Sequence, residues 1–380
     1  MNRAPFESVA GQQQVKEHFA RALRDGALDH AYLFSGREGL AKTAFARELA
    51  VALVSSCGGC GDCPECSRAR RGVHPDLHVL EREGEVIRSE QVEPLIADLS
   101  LKPFAAGHRV WIIPEADCLH PAAANRLLKS IEEPPDYVVF LLVTDHLERV
   151  LPTIVSRCQL VEFHPVSDEV VAAHLRERHG LDGVEAEALA RLSGGAVERA
   201  DRLAEDARGP ERRSAYLAQA AILSAGRRVA AEEAGAVFID ILGRHHAQIS
   251  GAVKDDLARR LSQLEQQFQD KRDLKWRTKM AEERAKREEK RLRRLAALDA
   301  VDVLVSWVRD LWVVACGASE VLCNCDREAE LLAATAATPE YYARLLAVAA
   351  QTRRDLYLNI DQKLALQALF ARFEEVAGSA

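Results

Sequence analysis

A short apolar strand, Ala31 to Phe34, runs into Gly36-Arg37-Glu38-Gly39-Leu40-Ala41-Lys42-Thr43, and Ala44 to Val54 continues as a helix. Strand, glycine loop and helix in that order are the context a phosphate-binding loop requires, and they direct the chain to an α/β fold. In such a loop the backbone N–H groups cradle phosphates, Lys42 would reach the β/γ-phosphates and Thr43 would hold Mg²⁺. The residues available for nucleotide are thus Gly36, Gly39, Lys42 and Thr43. The usual pattern is G-x-x-x-x-G-K-[ST], and here Ala41 stands where the second glycine belongs. A Cβ there restricts the backbone and crowds its approach to phosphate, so the loop is expected to keep its fold and to hold nucleotide poorly.

A second diagnostic stretch runs from Pro121 to Cys158. Leu127, Leu128 and Ile131 fall at helical spacing, and Pro134-Pro135 stop the helix. Tyr137 to Thr144 is a β-branched apolar run of buried-strand type. After the Leu151-Pro152-Thr153 turn comes Ser156-Arg157-Cys158, an arginine between two strands. Glu132 and Glu133 close the helix at its C-terminal end, where the macrodipole disfavours acids; either they are simply solvated or something holds them there.

The set LLKSIEEPP, LPTI and SRC resembles the clamp-loader family of bacterial DNA polymerase III, delta-prime type, with tau/gamma as its ATPase relative. The resemblance runs from about Phe6 to Phe163 and returns weakly over Leu356 to Phe370. It implies an AAA+ type P-loop α/β domain over residues 1–165 with a zinc module at about 55–68. A helical lid would follow over 166–211, and an all-α collar, which holds subunits in a ring, over 212–380. A P-loop ATPase ends the strand equivalent to Arg109–Ile113 with a magnesium aspartate and then a water-activating glutamate. Here Pro114 takes the aspartate position and Glu115 matches the glutamate, with Asp117 a substitute only if the strand end slips. Thr144 matches a polar sensor position, and Arg199 after Gly194-Gly195 is a weak match to a second sensor arginine. Ala41 and Pro114 point the same way, to a site without intrinsic ATPase activity. Arg157 would then serve in trans, as an arginine finger for a neighbour's ATP, unless it pairs with a local carboxylate such as Glu162.

Four of the nine cysteines lie in Cys57-Gly58-Gly59-Cys60-Gly61-Asp62-Cys63-Pro64-Glu65-Cys66. Consecutive C-x₂-C spacing suits structural zinc in a tetrahedral thiolate set, whereas an iron–sulfur run places its fourth cysteine later, followed by proline. The resemblance carries over Cys60, Cys63 and Cys66. Its first cysteine normally stands further upstream than Cys57, so His74 remains a reserve ligand, with a competing role in the His74-Pro75-Asp76 turn.

The remaining stretches read mostly as helix. Ile87 to Ser100 is helical, with Pro94 expected to kink or restart it, and from about Arg212 onward alanine, leucine and charged residues dominate. Lys271 to Arg294 is strongly basic and either meets a DNA backbone or forms a solvated helix with Glu282–Lys286 and Glu283–Arg287 pairs. The 380 residues suit two or three domains, and the net charge of −7 does not advertise nucleic-acid binding by the chain as a whole. No apolar run reaches membrane-spanning length and no signal peptide opens the chain, so the cytoplasm is expected. The resemblance implies other clamp-loader subunits, the sliding clamp and, through the complex, primer-template DNA as partners. Two competing functions stay open: a tau/gamma-like ATPase motor, and a zinc-containing nucleic-acid-binding module.

Overall fold

The computed structural model describes residues 5–82, 86–104, 107–225, 228–267, 271–357 and 361–378. The opening Met1 to Ala4 and residues 358–360 of the C-terminal match lie outside the described residues. Contacts divide the chain into one unit of residues 1–181 with 193–202 and a second of 182–192 with 203–380.

The first unit is built on five parallel strands: β1 (Ala31–Ser35), β2 (Leu77–Val79), β3 (Arg109–Ile113), β4 (Val138–Thr144) and β5 (Gln159–Glu162), in the order β2-β3-β4-β1-β5. Every residue of β1, β3 and β4 is buried, which explains their continuous apolar sequence: a parallel strand covered on both faces has no solvent side to alternate with. One face is covered from α1 (Gln13–Asp25) and α2 (Lys42–Val54), where Phe19, Phe34, Phe45 and Phe163 pack edge to face. The short α3 (Pro64–Arg70) follows α2. The other face is covered from α4 (Ser89–Asp98) and α5 (Pro121–Glu132), through Val92, Leu95, Leu127 and Ile131. The α4 helix runs on through Pro94, flanked by buried Val92 and Leu95, instead of restarting there. Packing on both sides of the proline outweighs the one backbone bond it forfeits.

The register sets the site. Ser35 lies opposite Thr144, and Ile113 opposite Leu142, so the carboxyl ends of β1, β4 and β3 finish side by side. The one-turn α6 (Pro152–Val155) leads into edge strand β5. Beyond it come α7 (Asp168–His179), α8 (Gly183–Ser193) and α9 (Val197–Glu205). The first unit takes α7 and the start of α9, where His174 and His179 both reach one oxygen of Asp201, at 2.8 and 2.9 Å.

The second unit is helical. It comprises α8 with α10 (Gly209–Ser224), α11 (Arg228–Gln267), α12 (Lys271–Ala315), α13 (Glu328–Ala334), α14 (Pro339–Tyr357) and α15 (Gln362–Gly378). Its core gathers Phe238, Trp307, Leu311, Tyr342 and Phe373. Asp310 is fully buried here, accepting hydrogen bonds from the backbone N–H groups of Cys323 (2.9 Å) and Asn324 (2.7 Å) and from the Asn324 amide (2.8 Å). Its carboxylate thus ties the loop after α12 to the helix. Asp310→Asn turns one acceptor into a donor facing donors, and it should cost the second unit about 1–3 kcal/mol. Urea denaturation followed by tryptophan fluorescence measures this, and an unchanged midpoint would show that the carboxylate does not hold the loop.

Candidate functional site

The loop between β1 and α2 keeps the shape its glycines dictate. Gly36 has φ +149, and a Cβ on it would come 2.6 Å from the carbonyl oxygen of Phe163, just past β5. Gly39, at φ +86, lies under the start of α9: its carbonyl accepts the Glu198 N–H at 3.1 Å, and an added Cβ would stand 3.2 Å from that of Ala196. Ala41 sits in the left-handed region, φ 62 and ψ 22, immediately before the first turn of α2. The chain therefore adopts the glycine conformation with an alanine, at a cost of roughly 1–2 kcal/mol.

Lys42 is turned inward. Its Nζ donates to the Arg37 carbonyl at 2.6 Å and meets Asp145 Oδ1 at 2.7 Å, with only 3% of the side chain exposed. Thr144, the residue before, donates its hydroxyl to Asp117 Oδ1 at 2.9 Å and accepts the His146 N–H at 2.9 Å. Pro114 follows β3 directly, and Glu115 beyond it pairs with Arg82 at 2.9 Å. The register brings the expected site residues together at one end of the sheet, where Lys42, Thr144 and Glu115 are each engaged with the protein and Thr43 stands in the first turn of α2. The lysine meant for phosphate has a carboxylate partner, the strand end offers proline to a magnesium ion, and the glutamate has a guanidinium. Pro114 offers no metal ligand, and Lys42 would have to leave Asp145 to reach a phosphate. Asp145 was absent from the sequence-derived site, although its place after the last residue of β4 marks it.

The cysteine loop closes on itself. The sulfurs of Cys57, Cys60, Cys63 and Cys66 all lie within 4.8 Å of one another, and among the described residues this is the only such group of His, Cys, Asp or Glu. Cys57 stands 3.5 Å from Cys63 and 3.4 Å from Cys66. Zinc–sulfur bonds of about 2.3 Å put tetrahedral sulfurs roughly 3.8 Å apart, so the set fits that ion with small adjustments. Burial pushes the Cys66 thiol up to about 12. Burial acts the same way on Cys57, but the Cys60 N–H and the neighbouring Ser55, Cys60 and Cys66 groups outweigh it and bring Cys57 down to about 6. Cys57 is thus set to ionise before Cys66, and a cation beside the buried Cys66 would favour its thiolate. His74 stands outside the group; its Nδ1 accepts the Asp76 N–H at 3.2 Å, the turn role. Arg70 pairs with Glu48 of α2 at 2.8 Å, which fastens the loop to that helix, and Glu65 closes the loop on itself by accepting from the Ser56 N–H and hydroxyl, both at 2.8 Å.

Arg157 projects from the turn between α6 and β5. Buried Val150 and Ile154 anchor that turn, and the Arg157 N–H donates to the Ile154 carbonyl at 3.0 Å. Arg157 pairs with a local carboxylate, the alternative raised above, and the carboxylate is Glu132 rather than Glu162. Nη2 donates to Glu132 Oε1 at 3.2 Å, Nε lies 3.2 Å from Oε2 without hydrogen-bond alignment, and Nη1 donates to the Thr153 carbonyl at 3.1 Å. The pairing gives Glu132, at the end of α5, a cation within reach. Glu132 is half exposed and Arg157 a third, so the pair sits at the surface.

Residues 11–167 match the protein family described as DNA polymerase III, delta subunit. The chain is 32% identical over 170 residues to DNA polymerase III subunit delta' of Bacillus subtilis, covering 44% of this chain and 52% of that protein. It is also 32% identical over 177 residues to subunit tau/gamma of Haemophilus influenzae, covering 45% of this chain and 25% of the relative. Among solved structures, a gamma subunit-related protein of DNA polymerase III from Thermotoga maritima is 16% identical, with a TM-score of 0.38, over 95% of this chain and 99% of that one. The chain therefore spans about half the length of the delta' relative and a quarter of tau/gamma. Over that segment it is similar to subunits of DNA polymerase III, as its LLKSIEEPP, LPTI and SRC motifs suggested. The particular subunits it resembles are delta' and tau/gamma.

Proposed function

We propose that this chain is a clamp-loader subunit of the delta-prime type, helping to place the sliding clamp on primer-template DNA within a hetero-oligomeric ring. In this reading the first unit is an AAA+ type domain whose cysteine loop holds structural zinc. Residues 166–211 form the lid and residues 212–380 the collar that meets the other subunits. Among the described residues no helix is long and apolar enough to cross a membrane, and a cytoplasmic place goes with the proposed role.

The observation that favours delta-prime over a motor is the engagement of Lys42 by Asp145 and the Arg37 carbonyl. A motor needs that lysine on phosphate and a carboxylate on the metal. Here the loop serves as a structural turn, and Arg157 is the residue left to act on nucleotide, in a neighbour. Co-purification from the native cell tests the class: other polymerase III subunits should come with the chain, and their absence would count against it.

A tau/gamma-like ATPase is the second reading, supported by the equal identity of the tau/gamma relative. The two separate by turnover. The purified chain should hydrolyse ATP at no more than background, and Lys42→Ala should leave the activity of a reconstituted loader within about twofold, because no phosphate contact is lost. A large fall in that variant, with the fold intact by circular dichroism, would favour the motor.

A further inference from the structure

α11 and α12 form a two-helix arm that extends past the core of the second unit. Cross-contacts fix its register: Ser250 donates to Glu289 at 2.5 Å, and His246 Nε2 stands 3.0 Å from the Arg293 carbonyl. Among the described residues from 243 to 267 and from 274 to 294, no side chain is buried, so the arm has no third layer. Leu274, Ala281, Ala285 and Leu292 are half-buried and repeat at heptad-like intervals, which makes them the seam of α12.

The two helices differ in charge. Residues 245–267 carry three Lys or Arg against three Asp or Glu, whereas 271–294 carry twelve against five, net +7 in a chain of net −7. The excess is ordered in space. Lys275, Lys279, Glu282, Lys286, Lys290 and Arg293 follow one another at intervals of three and four, so they form one stripe on the helix surface. All but Glu282 are cations and all six are exposed. At 1.5 Å per residue the stripe is about 27 Å long. Lys279 lies 3.9 Å from Glu283 and Arg293 lies 3.7 Å from Glu289, separations at which exposed pairs exchange readily for another anion.

We propose that this stripe is a docking surface for the phosphate backbone of double-stranded DNA. A straight, rigid row of cations complements a straight, rigid polyanion, whose phosphates place one charge per about 1.7 Å of axis. A single-strand platform would need aromatic side chains interleaved with the cations, and the described part of this helix up to Arg294 offers one, Trp276. The contact is independent of sequence, since no base-reading side chain is involved. It belongs to this chain alone and does not depend on the clamp-loader reading.

The test is fluorescence anisotropy of the full chain with a labelled 30-base-pair duplex of arbitrary sequence. With five phosphates neutralised, log K against log salt should have a slope of about −4.5, a roughly 500-fold weakening between 50 and 200 mM KCl. Alanine at Lys275, Lys279, Lys286, Lys290 and Arg293 together should abolish most of that slope and weaken binding at least 100-fold at the low salt. A glutamine set serves as the second variant, with helicity checked by circular dichroism. Alanine at Lys254, Arg259 and Arg260 on α11 should leave the slope unchanged. An unaltered slope in the folded five-residue variant overturns the proposal. So does equal displacement by polyglutamate at matched charge, which would assign the stripe to an acidic protein. Tighter binding of single strands that is lost in Trp276→Ala overturns it too.

Discussion

Arg157→Ala is expected to leave a reconstituted loader assembled while cutting DNA- and clamp-stimulated ATP hydrolysis at the one neighbouring site it serves by about 10³-fold or more, so that total hydrolysis falls by that site's share. The residue stands on a turn that enters β5, a third exposed, at the opposite end of the sheet from the chain's own glycine loop. A guanidinium there supplies fixed charge and a two-pronged grip to phosphate across a subunit boundary. Lysine brings only a point charge, so Arg157→Lys should recover little. The Glu132 pairing adds a second variant. Exposed ion pairs are worth about 0–1 kcal/mol, so Glu132→Gln should free the arginine and change hydrolysis by no more than a few-fold. Size-exclusion chromatography and steady-state phosphate release read both outcomes. Full hydrolysis by the Arg157→Ala complex would remove this residue from the chemistry.

The purified, freshly reduced chain should contain one zinc per molecule, and stripping it should unfold the loop from Cys57 to Cys66 while the sheet persists. Metal contributes about 10–16 kcal/mol to the folding of small thiolate modules, far more than the contacts that fasten this one to α2. Any of the four substitutions Cys57→Ser, Cys60→Ser, Cys63→Ser or Cys66→Ser should lose the metal at moderate chelator concentration. Arg70→Ala, which removes the Glu48 tie and a 3.3 Å hydrogen bond to the Gly61 carbonyl but no sulfur, should not. Protons compete for the same sulfurs, so release should grow as pH falls. Elemental analysis and hydrogen exchange over residues 55–70 read the result; iron in place of zinc, or uniform protection after chelation, would contradict it.

The parallel sheet was legible because β1, β3 and β4 are buried on both faces and their composition says so without help from distant residues. The glycine loop and the cysteine run were legible for the same reason: each is a local pattern with a local cause. What could not be read were pairings across long stretches of chain. Glu132 and Arg157 are 25 positions apart, and the local carboxylate the sequence offered as an alternative partner was Glu162, nearer along the chain. Asp145 reaches Lys42 only because β1 and β4 lie side by side in a particular register. Pro94 looked like a break because proline is judged by its own backbone, whereas neighbours buried on either side of it decided the outcome. The basic helix looked like a solvated run in one dimension, and its asymmetry emerges only when it is wound at 3.6 residues per turn beside a neutral partner.

The α12 helix contains neither glycine nor proline from Lys271 to Ala315, 45 residues in one piece, about 67 Å at the usual rise. Its outer half carries the cationic stripe and its inner half carries Trp307 and Leu311, the centre of the second unit's core. Sharp helix bends arise at proline, glycine or bulges, and a rod without glycine or proline has few places to absorb a rotation. A rotation applied at Lys279 would therefore be passed along the helix toward Trp307 with no glycine or proline hinge on the way. The arm is a lever whose short end is the hydrophobic core itself, so whatever grips the long end also sets the attitude of the helices packed around the fulcrum.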